Sequence, residues 1–147
     1  MIKPSLLLLS ACMAFALTAP AGAVELKTDD TDAVRSGKSI YKSHCAACHG
    51  RSLKGQRNWQ VRGPDGKLPA PPHDKSGHTW HHPAKVLFDL VKRGPKAMIG
   101  PDYQTNMPGY EGILSDDKII AVLSYIKSTW PPDIRRRHDG IERQHRK

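Results

Sequence analysis

The chain has 147 residues, enough for one domain once any leader is removed. Its 23 Lys and Arg against 14 Asp and Glu give a formal charge of +9. Such a charge suits nucleic acid, but the export signal at the N-terminus argues against that partner and leaves an acidic protein face, anionic lipid or a plain solvated surface.

The N-terminus carries Lys3, an apolar run over residues 6–17 and then Ala21-Gly22-Ala23, the pattern of a secretory signal over residues 1–23 cleaved before Val24. The run is too short for a spanning helix, which needs about 20 residues. No later segment is apolar enough to cross a bilayer. A competing cleavage exists at Leu9-Ser10-Ala11-Cys12, similar to the lipobox of bacterial lipoproteins, with Cys12 lipidated. The apolar core ahead of Cys12 would be only residues 6–9, short of the usual length of about 7 to 15. Signal cleavage is therefore the main expectation and a lipid anchor the minor one.

Asp29, Asp30 and Asp32 supply N-caps and first-turn charge, and Val34, Gly37, Ile40 and Tyr41 recur at helical spacing. This predicts a helix over residues 32–44. Gly37 costs such a helix about 1 kcal/mol, so close approach of a second helix is expected there.

Cys45-Ala46-Ala47-Cys48-His49 follows at once. C-x-x-C-H is the signature of c-type haem attachment. On one helical turn both sulfurs reach the same porphyrin edge, and the adjacent imidazole lies over the iron. A four-cysteine zinc site fails on count, and one of three cysteines and a histidine would have to recruit Cys12. A two-cysteine, two-histidine finger lacks its histidine pair, since the next histidine is His73. A thioredoxin-type motif would need a βαβ pattern that is not present.

Residues 50–82 are rich in Gly, Pro, Asn, Asp and basic residues, with Gly63-Pro64-Asp65-Gly66 as a turn and Pro69-Ala70-Pro71-Pro72 as an extended stretch. A loop this long is expected when it wraps a group, here the haem. Trp59, Trp80 and Arg62 are candidate pocket and propionate donors, against the alternative of ordinary surface positions. His78, His81 and His82, with His73 nearby, invite a second metal site; the alternative is a polar loop whose Trp80 packs on the haem edge.

Pro83 opens a predicted helix over residues 83–93, with Val86, Leu87, Leu90 and Val91 as its stripe. A loop is expected over residues 94–114. Ser115 then caps a helix whose stripe is Ile119, Val122, Leu123, Ile126 and Trp130, ended by Pro131-Pro132. The last segment holds Arg135, Arg136, Arg137, Arg143, Arg146 and Lys147 with little to bury, and reads as a basic tail over residues 131–147, at most a frayed helix. Of the methionines after the leader, Met107, followed by Pro108, is preferred over Met98 as a sixth iron ligand, since thioether sulfur raises the potential of a haem carrier.

Together the N-terminal helix, the attachment pentapeptide, the middle helix, Asn106-Met107-Pro108-Gly109 and the final helix resemble a class I c-type cytochrome of the small bacterial kind, over about residues 32–130. The resemblance implies an all-α cytochrome c fold, with three main helices and long loops around one covalent haem c. The first and last helices would cross, with Gly37 and Tyr41 facing Leu123 or Tyr125. It implies Cys45 and Cys48 as thioethers, His49 and Met107 as axial ligands, and a proline carbonyl, from Pro71 or Pro72, accepting the Nδ1 proton of His49. The implied function is a periplasmic electron carrier, not an enzyme; the basic charge and tail, read on their own, suggest redox partners with an acidic docking face and peripheral contact with anionic membrane. An open iron position doing ligand chemistry is the alternative, and no acid–base constellation accompanies it. The long loop and the tail depart from the compact family pattern.

Overall fold

A computed structural model of the protein describes residues 24–146. The expected leader and Cys12 lie outside these residues. The described residues are all-helical, without a strand: α1 Thr31–His44, α2 Ala46–His49, α3 Ala84–Arg93, α4 Pro95–Ile99, α5 Asp116–Ser128 and α6 Pro132–His145, with a single 3₁₀ turn at Thr79–His81.

Asp30 caps α1, its carboxylate accepting from the backbone N–H groups of Asp32 and Ala33 at 3.0 Å each. The Ala33 amide hydrogen bond is the main reason its carboxyl is held below the usual range. α1 crosses α5 at Gly37, where a Cβ would stand 2.0 Å from the carbonyl oxygen of Ala121 and 2.9 Å from Cβ of Tyr125. The missing side chain is thus what lets the two backbones meet. One turn on, the rings of Tyr41 and Tyr125 pack 5.6 Å apart. The core grows from this crossing: Tyr41, Leu87, Phe88, Leu114, Ile119, Val122, Leu123, Ile126 and Trp130 are all buried in one cluster.

Three expectations need correction. The stretch after α3 is not all loop, because Gly94, at φ 81°, turns the chain and Pro95 starts α4 as its first residue. Met98 therefore sits on a helix. Ser115 occupies the N-cap position of α5 but makes no side-chain capping bond, and Asp116 in the first turn pairs instead with Lys92 at 2.8 Å. The segment read as having little to bury forms α6 and docks. Ile134 and His138 are buried, and Lys127 pairs with Asp139 at 2.5 Å. In addition, the Glu142 carboxylate accepts the backbone N–H of Ala84. The first free N–H of α3 is satisfied across the fold, with Pro83 just outside the helix as its N-cap. Two apolar side chains at positions 134 and 141 were too few to show this face in the sequence.

Candidate functional site

The final carbonyls of α1 run straight into α2, with the N–H of Cys45 bonded to Tyr41 O at 2.9 Å and that of His49 to Cys45 O at 2.9 Å. Cys45, Cys48 and His49 therefore share one helical turn. Both cysteines are free, Cys45 half-buried and Cys48 exposed. Burial, then the neighbouring Cys48, pushes the Cys45 thiol up to about 11. It is consequently a thiol and not a thiolate at neutral pH. Tyr41 clamps the turn from below, its hydroxyl donating to Gly50 O at 2.9 Å, and burial raises its own pKa.

The His49 ring is buried, and its Nδ1 lies 2.8 Å from Pro71 O. A carbonyl can only accept, so Nδ1 carries the proton and Nε2 keeps a free lone pair. Burial lowers the His49 pKa and so favours the neutral ring, opposed in part by the Pro71 carbonyl, whose hydrogen bond favours the protonated one. Of the two candidate prolines, Pro71 makes this contact, while Pro72 O accepts from the Thr79 hydroxyl at 3.4 Å. The segment is held close by Gly55, at φ 64°, where a Cβ would fall 2.6 Å from the carbonyl carbon of Pro71. A neutral imidazole with a free Nε2 beside two reduced thiols fits the donor set of a covalently attached haem.

One residue beside the ring was not singled out for it. The His73 imidazole stacks on that of His49, centroids 4.0 Å apart. Its Nδ1 donates to Thr79 Oγ1 at 2.9 Å, and its carbonyl accepts the Trp130 indole N–H at 2.7 Å. Burial, reinforced by His49 and His78, holds its pKa well below the ordinary value. Its place directly after Pro71-Pro72 was the only signal available in the sequence.

The Met107 loop returns against the end of α3. Gly109 passes so close that a Cβ would meet Arg93 O at 2.7 Å, and the Tyr110 N–H bonds to Val91 O at 3.0 Å. The Tyr110 hydroxyl donates to His44 O at 2.7 Å, tying this loop to the residue before the attachment turn. Met107 is half-buried, its N–H donating to Thr105 Oγ1 at 3.0 Å, and Lys67 Nζ donates to Asn106 Oδ1 at 2.7 Å. Met98 is half-buried on α4.

The remaining candidates lie elsewhere. Trp59 stacks on His78, centroids 5.3 Å apart. Trp80 lies against His81 at 3.7 Å and beneath the Arg137 guanidinium at 5.9 Å, its indole N–H directed to Lys75 O at 3.4 Å. Arg62 donates to Gly66 O at 2.6 Å and covers the Tyr103 ring. Among the described residues no helix is long and apolar enough to cross a membrane.

Residues 34–130 match the family described as cytochrome c. No curated protein matches the chain. Among solved structures, cytochrome cL from the marine methylotrophic bacterium Methylophaga aminisulfidivorans MPT is similar, with a TM-score of 0.53 and 19% sequence identity. The match covers 75% of this chain and 63% of that one, so the chain spans less than two thirds of its relative, and at this identity the likeness is one of fold. A family match across most of the chain, carried on a fold shared with a solved cytochrome, makes this protein a member of the cytochrome c family, with covalently bound haem c as the cofactor that membership implies.

Proposed function

We propose that the protein is an exported, periplasmic single-electron carrier, released from its leader at Val24, with Cys45 and Cys48 as thioether attachments and His49 and Met107 as axial ligands. Bound haem supplies an iron that alternates between ferric and ferrous states. The observation that carries this reading is the 2.8 Å contact between His49 Nδ1 and Pro71 O, which fixes the tautomer and aims a free Nε2 away from the backbone.

The chain's own contribution is positional. Tyr41 and Pro71 hold the attachment turn and its imidazole, Tyr110 holds the Met107 loop to the same turn, and His73 covers one face of His49. Trp59, Trp80 and Arg62 belong to the long loop, where their contacts are with His78, His81 and Gly66. Exposed Arg136, Arg137 and Arg143 on α6, with Arg146 just past its end, give a basic face that steers an acidic redox partner or rests on anionic membrane. The protein is a carrier and turns over no substrate.

The test is an optical spectrum of the exported protein in both oxidation states. Methionine sulfur gives ferric haem a weak far-red band, which should be present, lost in Met107→Ala and kept in Met98→Ala. Covalent haem without that band, or a band that survives Met107→Ala, would defeat the ligand assignment.

A further inference from the structure

The histidines of the long loop do not act as one cluster. His73 is committed to His49, and His81 lies against Trp80. His78 and His82 remain, and they face each other. The 3₁₀ turn between them, with His81 N bonded to His78 O at 3.0 Å and His82 N to Thr79 O at 3.2 Å, brings the two side chains to one side of the chain.

Nδ1 of His78 and Nε2 of His82 stand 3.3 Å apart, with the rings nearly perpendicular at 77°. At that distance the two nitrogens share a long hydrogen bond, and a cation would take its place once the donor ring carries its proton on the other nitrogen. As the span between two nitrogens on one metal the distance is ordinary, since bonds of about 2.0 to 2.1 Å at the tetrahedral angle put two ligands about 3.3 Å apart. The pair is also poised for coordination. Burial and the neighbouring imidazoles hold both rings below their ordinary pKa, so each is neutral at pH 7 and has a lone pair to give. Trp59 stacks on the His78 ring at 20°, which limits its rotation and lowers the cost of fixing it.

We propose that His78 and His82 form a two-imidazole surface site for a borderline divalent cation, zinc(II) or copper(II). No group of three or more metal-binding side chains converges among the described residues, so water or a partner's side chain completes the coordination shell. Two neutral nitrogens suit zinc and copper and discriminate against calcium and magnesium, which demand oxygen. The site uses neither of the proposed axial ligands and does not depend on their assignment.

The test is calorimetric titration of zinc chloride into the haem-loaded full-length protein at pH 7.5 in a non-chelating buffer. One equivalent should bind. His78→Ala and His82→Ala should each weaken binding by about tenfold or more, while His81→Ala should bind as the parent does. The haem spectrum and unfolding temperature of every variant are measured alongside. Should His78→Ala loosen the loop, His82→Gln removes the ligand while keeping bulk and polarity. The proposal is overturned if excess zinc gives no binding, or if the His78 and His82 variants bind like the parent, which would place the metal elsewhere. Equal affinity for magnesium would overturn the assigned ligand class.

Discussion

The imidazole of His73 lies over that of His49 with planes only 25° apart, and the same residue's carbonyl receives the Trp130 indole proton at 2.7 Å. The ring that the attachment turn presents is therefore covered by a loop residue, which is itself pinned to the end of α5. Replacing His73 by Ala removes the covering ring but leaves the backbone bond to Trp130. The expected result is a loss of about 2 kcal/mol of stability, as for other large-to-small changes at buried sites, and a shifted midpoint potential as water reaches His49. His73→Phe, which keeps a flat ring there, should retain most of both. Chemical denaturation and redox titration of the two variants test this.

Gly37→Ala should be among the most damaging single substitutions. The added methyl would point into the carbonyl of Ala121, at 2.0 Å, a backbone atom that cannot swing aside. Either α1 and α5 separate or the crossing strains, at a cost of about 3 kcal/mol or more. Denaturation of the purified variant measures it, and stability within 1 kcal/mol of the parent would refute the close-approach account.

His138 predicts an acid-sensitive dock for α6. Its ring is fully buried against Trp130, and neither nitrogen meets a partner at hydrogen-bond geometry. Burial, with the Lys127 ammonium adding to it, lowers its pKa. Glu142, Asp139 and the His82 carbonyl oppose this without reversing it. A base with a depressed folded pKa is neutral in the fold but takes a proton on unfolding once the pH drops below the unfolded value of about 6.5. Stability should therefore be level above about pH 7 and fall as the pH drops below about 6.5, by up to about 1.4 kcal/mol per pH unit from this group. His138→Leu should flatten that slope and raise the unfolding temperature at pH 5.5 relative to the parent. Thermal unfolding at pH 5.5 and 7.5 decides it.

Removing α6 and neutralising α6 should have different consequences. Deletion of residues 132–147 strips Glu142 from the α3 N-terminus and uncovers Trp130, so it should lower stability as well as remove charge. The double change Arg136→Gln with Arg143→Gln alters only exposed side chains. It should leave the unfolding temperature unchanged while slowing association with an acidic redox partner or anionic vesicles at low ionic strength. The difference should vanish as salt screens it, the Debye length falling to about 3 Å at 1 M. Stopped-flow mixing across a salt series reads the effect.

The attachment turn was legible because its information is local: Cys45, Cys48 and His49 fall within five consecutive positions, and one helical turn suffices to bring them together. The α1 and α5 stripes were legible for the same reason, since apolar residues at spacings of three and four name their own buried face. Gly37 even announced a close approach by its cost, although only the fold could say that Ala121 is what approaches.

What the tertiary structure decided was everything set by pairs far apart in the chain. That Pro71 and not Pro72 meets His49, and that His73 covers it, depends on how a loop with no periodicity packs. So does the meeting of His78 with His82 while His81 turns away to Trp80. Residues 132–145 looked unburiable because a helix that buries one isoleucine and one histidine leaves almost no hydrophobic pattern. Its docking rests instead on Glu142 reaching Ala84 and Lys127 reaching Asp139. These are polar contacts whose worth comes from the low dielectric of their surroundings, and no reading of the residues alone supplies those surroundings.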